Sequence, residues 1–315
     1  MDYTYLGTTN IKVSKLCFGS LTIGPLQANL PLQEGAEVIR HGIERGINFI
    51  DTAELYETYP YIDQALKGLN KEIIIATKSY SYTRGMMAES LEKARRQLNR
   101  DVIDIFLLHE QDNKYTIEGH RSAWEYLLGA KSAGIVKAIG ISTHNIKGAE
   151  GFLQYPEMDI IHPIVNYRGL GIQDGSIEEM LQVLEKAKKM GKGIYGMKPL
   201  GGGNLLRNFA KAFQWALARP ELDAIAVGMQ TTAEVDINID LAEGKNPRRE
   251  DLAQVSEKNR KLLLEDYCEG CGQCINKCKH KALFLENDRA KVIKELCVLC
   301  GYCGAVCPNF AIKII

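Results

Sequence analysis

The run Ile103-Asp104-Ile105-Phe106-Leu107-Leu108-His109 is a short, β-branched, nearly all-apolar stretch that ends on an imidazole. Seven more runs of the same kind space the first part of the chain: Leu16–Phe18, Asn48–Asp51, Ile73–Thr77, Ala138–Ser142, Ile160–Val165, Ile194–Met197 and Ala224–Val227. Near-continuous apolar strands of this sort, separated by helical patterns, indicate parallel strands buried on both faces. The helical patterns are Glu34–Arg45, Met86–Asn99, Glu118–Ala133, Ile177–Met190, Leu205–Ala218 and Ala233–Ala242. Ser176 is placed to cap the fourth, and Gly46, Gly134 and Gly191 stand at helix ends. Eight strand–helix units in roughly 245 residues match an α/β fold of the (β/α)8 TIM-barrel class. The alternative is a doubly wound open sheet. Gly19-Ser20-Leu21-Thr22-Ile23-Gly24 is not the G-x-G-x-x-G turn that such a sheet usually carries after its first strand.

The chain has 315 residues, with 39 basic and 39 acidic side chains. Zero net charge and the lack of any Lys/Arg-rich run argue against nucleic acid as a partner. No apolar stretch of spanning length is present, so no membrane partner is expected. Met1–Tyr5 lacks a basic n-region leading to an apolar h-region, so no signal peptide is expected and a cytoplasmic setting is.

Cysteine usage divides the chain. Of nine cysteines, only Cys17 precedes position 268, and its place in an apolar strand reads as a buried, inert thiol. The remaining eight form two copies of one pattern, Cys268-x2-Cys271-x2-Cys274-x3-Cys278 and Cys297-x2-Cys300-x2-Cys303-x3-Cys307-Pro308. This is ligand spacing for two [4Fe–4S] clusters, in which the fourth cysteine of each run serves the other cluster. The expected sets are Cys268, Cys271, Cys274 and Cys307, and Cys297, Cys300, Cys303 and Cys278. A disulfide scaffold fits poorly with a long cysteine-poor first part, and two zinc sites would leave the third cysteine of each run unexplained. The duplicated run resembles a bacterial ferredoxin, with a small α+β unit built as two halves. The expected division is a barrel over 1–245, a linker and connecting helix over 246–264 with helix periodicity in Asp251–Leu264, and a cluster unit over 265–315.

Catalytic groups of a barrel project from the C-terminal ends of its strands. Here those ends carry Asp51, with Tyr56 just beyond it, Lys78 and His109. A phenol is too weak an acid for ordinary work at neutral pH, and a nearby ammonium lowers its pKa. Lys78 is the candidate ammonium, Asp51 its holder, and His109 a donor to a carbonyl oxygen. The set suits proton delivery to a carbonyl as hydride reaches its carbon.

The motifs Asp51-Thr52-Ala53-x-x-Tyr56, Ala76-Thr77-Lys78 and Asp104–His109 resemble those of the aldo-keto reductases. Leu6-Gly7-Thr8-x-x-Ile11-x-Val13-Ser14 is similar to the N-terminal hairpin that plugs the barrel floor in that family. The resemblance covers residues 1 to about 243, and with the tail it points to the branch fused to a 4Fe-4S ferredoxin-type domain. It implies an oxidoreductase that reduces a small-molecule carbonyl, or oxidises an alcohol, with NADPH or NADH. Tyr56 is then the general acid/base, tuned by Lys78 and Asp51, and His109 positions the carbonyl. The resemblance also implies cofactor contacts at Ser20, Ser142, Thr143, His162, Met197, Lys198, Gly228, Thr232 and Asn238, with Gly201–Gly203 able to meet a pyrophosphate.

Three positions depart from the family pattern. His162 stands where many members carry an amide, Met197 where most carry an aromatic ring, and Glu234 where NADP-binding members carry Arg. A carboxylate at Glu234 repels a 2′-phosphate, which leaves NAD, or no nicotinamide, open. Hydride moves two electrons together whereas each cluster moves one. The clusters therefore serve a radical step, a flavin, a redox protein partner or the structure itself. The competing function is an iron–sulfur electron-transfer protein whose barrel binds a ligand or partner without nicotinamide chemistry. Tyr59, Tyr61, Tyr80, Tyr82 and Tyr115 are candidates for the substrate mouth or are ordinary loop tyrosines.

Overall fold

The computed structural model describes residues 1–315. A hairpin of β1 (Tyr3–Tyr5) and β2 (Lys12–Ser14) precedes eight parallel strands. These are β3 (Leu16–Gly19), β4 (Phe49–Asp51), β5 (Ile74–Ser79), β6 (Ile103–Leu108), β7 (Val136–Thr143), β8 (Ile160–Pro163), β9 (Gly193–Met197) and β10 (Ala224–Gly228). They close into a barrel, β10 pairing with both β9 and β3. All eight apolar runs of the sequence are barrel strands.

Strand parity sorts the side chains, because neighbours on a strand point to opposite faces. Cys17, Phe49, Ile74, Ala76, Ile105, Leu107, Ala138, Ile160, Tyr195, Ala224 and Ala226 fill the barrel interior. Leu6, Ile11 and Val13 of the hairpin join this interior cluster, so the N-terminal segment plugs the barrel as expected. Residues of opposite parity, such as Phe106, Leu108 and Ile139, pack outward against the helices in one large core.

The helices are α1 (Leu32–Glu44), α2 (Tyr59–Leu66), α3 (Arg84–Gln97), α4 (Lys114–Gly119), α5 (Arg121–Ser132), α6 (Ile146–Phe152), α7 (Ile177–Lys189), α8 (Phe209–Leu217), α9 (Thr232–Ala242) and α10 (Arg249–Ser256). Ser176 closes a capping box with Glu179 at the start of α7. The helix expected over Glu118–Ala133 is two helices meeting at His120, and Asn113 caps the first of them. No helix is long and apolar enough to cross a membrane.

The C-terminal unit holds β11 (Leu262–Leu264), α11 (Gln273–Lys277), β12 (Leu283–Glu286), β13 (Arg289–Val292) and β14 (Ile312–Ile314). The helix expected over Asp251–Leu264 stops at Ser256. Leu262–Leu264 is instead a strand paired antiparallel with β14. Helical periodicity there is overridden by a partner strand some fifty residues away in sequence, a non-local choice that no local pattern reports.

β14 also docks this unit on the barrel. Ile314 N–H donates to the Gly202 carbonyl at 3.0 Å, and Asn204 Nδ2 donates to the Ile312 carbonyl at 2.9 Å. Gly203 has φ +84°, and a Cβ on it would lie 2.0 Å from the Ile314 carbonyl oxygen. Gly301 makes the reciprocal approach, where a Cβ would lie 2.6 Å from the Asn204 carbonyl. Backbones this close admit only glycine. Gly203→Ala should therefore loosen β14 from the barrel at a cost of about 2 kcal/mol or more. Thermal unfolding followed by circular dichroism checks this, and an unchanged midpoint would contradict it.

Candidate active site and cysteine cradles

Inward parity continues past the apolar part of each strand and delivers polar groups to one rim. Asp51 follows Phe49, Lys78 follows Ala76, His109 follows Leu107, Ser142 follows Ala138 by two inward steps, and His162 follows Ile160. The four expected catalytic groups meet there. Lys78, wholly buried, donates to Asp51 Oδ2 and to the Thr52 carbonyl, each at 2.8 Å. Its ammonium stands 4.9 Å from the centroid of the Tyr56 ring. The His109 ring lies edge-on to Tyr56 at 5.7 Å and stacks on Tyr80 at 4.3 Å.

Tyr195 on β9 joins the site without having been among the expected residues. Its hydroxyl donates to Asp51 Oδ1 at 2.9 Å, and its ring stacks on His162 at 3.9 Å. Its inward parity opposite Asp51 was the available signal.

Burial dominates the electrostatics. It pushes the Tyr56 phenol well above its ordinary value, with the Asp51 carboxylate adding to the rise. The expected lowering by Lys78 is not found in the free site, because desolvation outweighs the ammonium and Asp51 neutralises it. Burial likewise holds His109 well below the ordinary histidine value, with Lys78 next in effect. His162 is pushed down to about 4 by burial despite Asp51 nearby. His109 is thus neutral, and its Nδ1 is buried without a partner.

A cleft of about 750 Å³ opens over this rim. Asp51, Tyr56, His109, His162, Met197, Lys198 and Gly228 line it, together with Tyr80 and Glu110. The other expected cofactor contacts do not line the cleft. Ser20 has outward parity and bonds Thr58 at 2.7 Å in the core. Thr143 is also outward and closes a turn with Asn145. Ser142 is inward, but its hydroxyl accepts the Glu110 N–H at 2.9 Å. Asn238 is buried and donates to the Glu234 carbonyl at 2.8 Å. Thr232 starts α9 without lining the cleft. Of the five tyrosines proposed for the mouth, only Tyr80 lines it.

Two corrections concern charge and glycine. Glu234 is not a free carboxylate, since Lys258 pairs with it at 2.8 Å and Arg260 at 3.7 Å. Gly202 and Gly203 are not free to approach a pyrophosphate, because Phe310, Lys313 and Ile314 pack on them. The C-terminal unit thereby lines the cleft as well, through Glu265, Tyr267, Asn309, Phe310, Lys313 and Ile314. Sequence reading placed none of these at the site, and the chain distance to the barrel left no local signal.

The eight tail cysteines gather around two separate voids. Cys268, Cys271, Cys274 and Cys307 surround one, and Cys278, Cys297, Cys300 and Cys303 the other. No three ligand-type side chains converge tightly enough for a single metal ion. A void lined by four cysteines fits the four-thiolate coordination of a [4Fe–4S] cubane. Backbone N–H groups of Ala282, Ala290 and Ala311 donate to the sulfurs of Cys278, Cys268 and Cys307 at 3.3–3.5 Å. Cys17 is wholly buried, and burial pushes its thiol up, which keeps it inert.

Comparison with known proteins agrees with this architecture. The model of the aldo/keto reductase family matches residues 15–213, and that of a 4Fe-4S binding domain matches residues 290–313. The chain is 26% identical over 212 residues to aldo-keto reductase YhdN of Bacillus subtilis, a match covering 62% of each protein and so under two thirds of that relative. It is 23% identical over 276 residues to L-galactose dehydrogenase of Arabidopsis thaliana, covering 74% of this chain and 86% of that one. An aldo-keto reductase from Bacillus halodurans, in its holo form, superposes with a TM-score of 0.65 at 22% identity over 82% of this chain and 96% of its own. With the eight-stranded barrel and the family match over more than half its length, the chain belongs to the aldo/keto reductase family and carries a 4Fe-4S binding domain at its C-terminus.

Proposed function

We propose that the protein is a nicotinamide-dependent oxidoreductase that reduces a small carbonyl compound, or oxidises the corresponding alcohol. The observation that supports this best is the Lys78 ammonium, fixed between Asp51 and the Thr52 carbonyl and facing the Tyr56 ring. Tyr56 is the proton donor. Its phenol stays protonated at neutral pH, the form needed to protonate a carbonyl oxygen. Lys78 is placed to stabilise the phenolate left behind, and Asp51 with Tyr195 keeps that ammonium in place. His109, neutral and lining the cleft, holds the carbonyl oxygen by a hydrogen bond. A bound nicotinamide supplies hydride in this chemistry. Met197, His162, Lys198 and Gly228 line the cleft where it would lie, and Lys258 and Arg260 supply cations at the far end beside Glu234. These cations make either NADH or NADPH admissible.

The two cysteine sets are read as ligands of two [4Fe–4S] clusters, which supply one-electron transfer when bound. A small redox protein is the partner class they imply. Eight thiols held unpaired fit a reducing, cytoplasmic compartment.

A second reading has its own observation. The glycine run expected near pyrophosphate is covered by β14. On that reading the protein is an iron–sulfur electron carrier whose barrel binds a ligand without nicotinamide.

Anaerobic titration with NADH and NADPH, followed by cofactor fluorescence, separates the two. Saturable binding is expected, and its absence with both nucleotides favours the carrier. Tyr56→Phe should lower kcat for carbonyl reduction by about 10²–10⁴-fold while iron content and melting stay unchanged. Undiminished turnover would remove Tyr56 from the mechanism.

The pH profile of reduction follows from the shifted groups. His109 takes up a proton only below the ordinary histidine range, and Tyr56 loses one only above the ordinary tyrosine range. Reduction should stay flat from about pH 6.5 to 9. A loss of kcat at the alkaline end of that span would contradict the assignment of Tyr56.

A further inference from the structure

Lys313 belongs to no part of the chemistry above, yet it sits in the same cleft. It is buried on β14, and its side chain crosses Gly202 to end 3.7 Å from the centroid of the Phe310 ring. Its ammonium donates to the Phe310 carbonyl and lies 3.5 Å from the Tyr267 hydroxyl. Lys198 approaches the same ring, with its ammonium 5.3 Å from the centroid. That ammonium donates to His144 Nε2 at 2.9 Å. Neither lysine makes an ion pair, in contrast to Lys78 with Asp51.

The carboxylates that face them do not fill this need. Glu110 is engaged by the Tyr80 hydroxyl and stands 3.4 Å from His144 Nδ1. Glu265 lines the cleft but lies beyond ion-pair reach of both lysines. A buried ammonium such as that of Lys313 without a counter-ion is costly, and the half-buried ammonium of Lys198 at the same ring adds to the cost. Burial and Lys198 push Lys313 down to about 7. Burial pushes Lys198 down as well. An oxyanion between the two would relieve both.

We propose that Lys198 and Lys313 form an oxyanion-binding subsite in the catalytic cleft, which receives a carboxylate or phosphate group of the bound ligand. The inference rests on the carbonyl-reductase reading when the anion belongs to the substrate, and it makes that substrate an anionic aldehyde or ketone. The diphosphate of a nucleotide is the other source of the same chemistry. Lys313 comes from the C-terminal unit, outside the barrel, so the subsite is complete only when β14 is docked.

The test uses the full chain, prepared anaerobically with its iron retained. Inorganic phosphate is titrated calorimetrically into wild type, Lys198→Met, Lys313→Met and Lys313→Arg. Phosphate affinity should fall roughly tenfold or more in both Met variants and survive in Lys313→Arg. The Arg variant, with iron content for all four proteins, separates loss of charge from loss of fold. Turnover of succinic semialdehyde and of uncharged butanal then locates the anion. A rise in KM for succinic semialdehyde alone assigns the subsite to substrate. A rise in NADH dissociation constant, with both aldehydes changed in step, assigns it to the nucleotide. Phosphate binding unchanged in Lys313→Met would overturn the proposal, and a shifted cluster midpoint potential in that variant would then place Lys313 in the service of the cluster near Cys307. Failure of wild type to turn over either aldehyde would count against the carbonyl reading alone, because phosphate binding still decides the subsite.

Discussion

The wholly buried ammonium of Lys78 is the constraint around which the barrel rim is organised. A charge removed from water is tolerated only with a close counter-ion and satisfied donors. Lys78 obtains these from Asp51 on the adjacent strand and from the Thr52 carbonyl. Asp51 in turn accepts from Tyr195, two strands away from β3 through the closed edge of the barrel. His162 stacks on Tyr195 and bonds its carbonyl through Nδ1 at 2.6 Å. One buried charge thus ties β4, β5, β8 and β9 together at the mouth. The same network presents Tyr56 and His109 to the cleft in their protonated and neutral forms.

A second constraint is the docking of the cysteine-rich unit. β14 reaches the barrel through the carbonyl of Gly202, the amide of Asn204 and two glycines that permit backbone contact. It brings Phe310 and Lys313 over Met197 and Lys198. The cradle of Cys268, Cys271, Cys274 and Cys307 shares Glu269 and Asn309 with the wall of the cleft. The C-terminal unit is therefore part of the cleft's wall as well as a cysteine cradle. Any change that undocks β14 alters the cleft and the cradle together.

Sequence reading alone was sufficient where one local rule decides the outcome. Eight apolar runs became eight strands because double-sided burial demands such composition. Asp51, Lys78 and His109 were legible because each sits at an inward position one step past its apolar run, and parity of two carries it to the rim. The eight cysteines stand out by their spacing, and the folded chain gathers them around two voids in the crossed sets expected from it.

Tertiary structure alone decided what depends on segments distant in the chain. Parity separated Ser142 from Thr143 and Ser20, but only the packed loops revealed that Ser142 is engaged by Glu110. The sign of the field at Glu234 reversed because Lys258 and Arg260 fold back onto it from beyond α10. Leu262–Leu264 became a strand because β14 was available to pair with it. Tyr56 stayed a stronger proton holder than its lysine neighbour suggested, since desolvation is a property of the whole surrounding volume and not of one contact. Local composition and spacing pointed to the barrel, to the grouping of the cysteines and to the polar residues at the rim, because those follow from periodicity along the chain. The roof of the cleft, its unpaired lysines and its charge balance came from long-range packing, which no periodicity records.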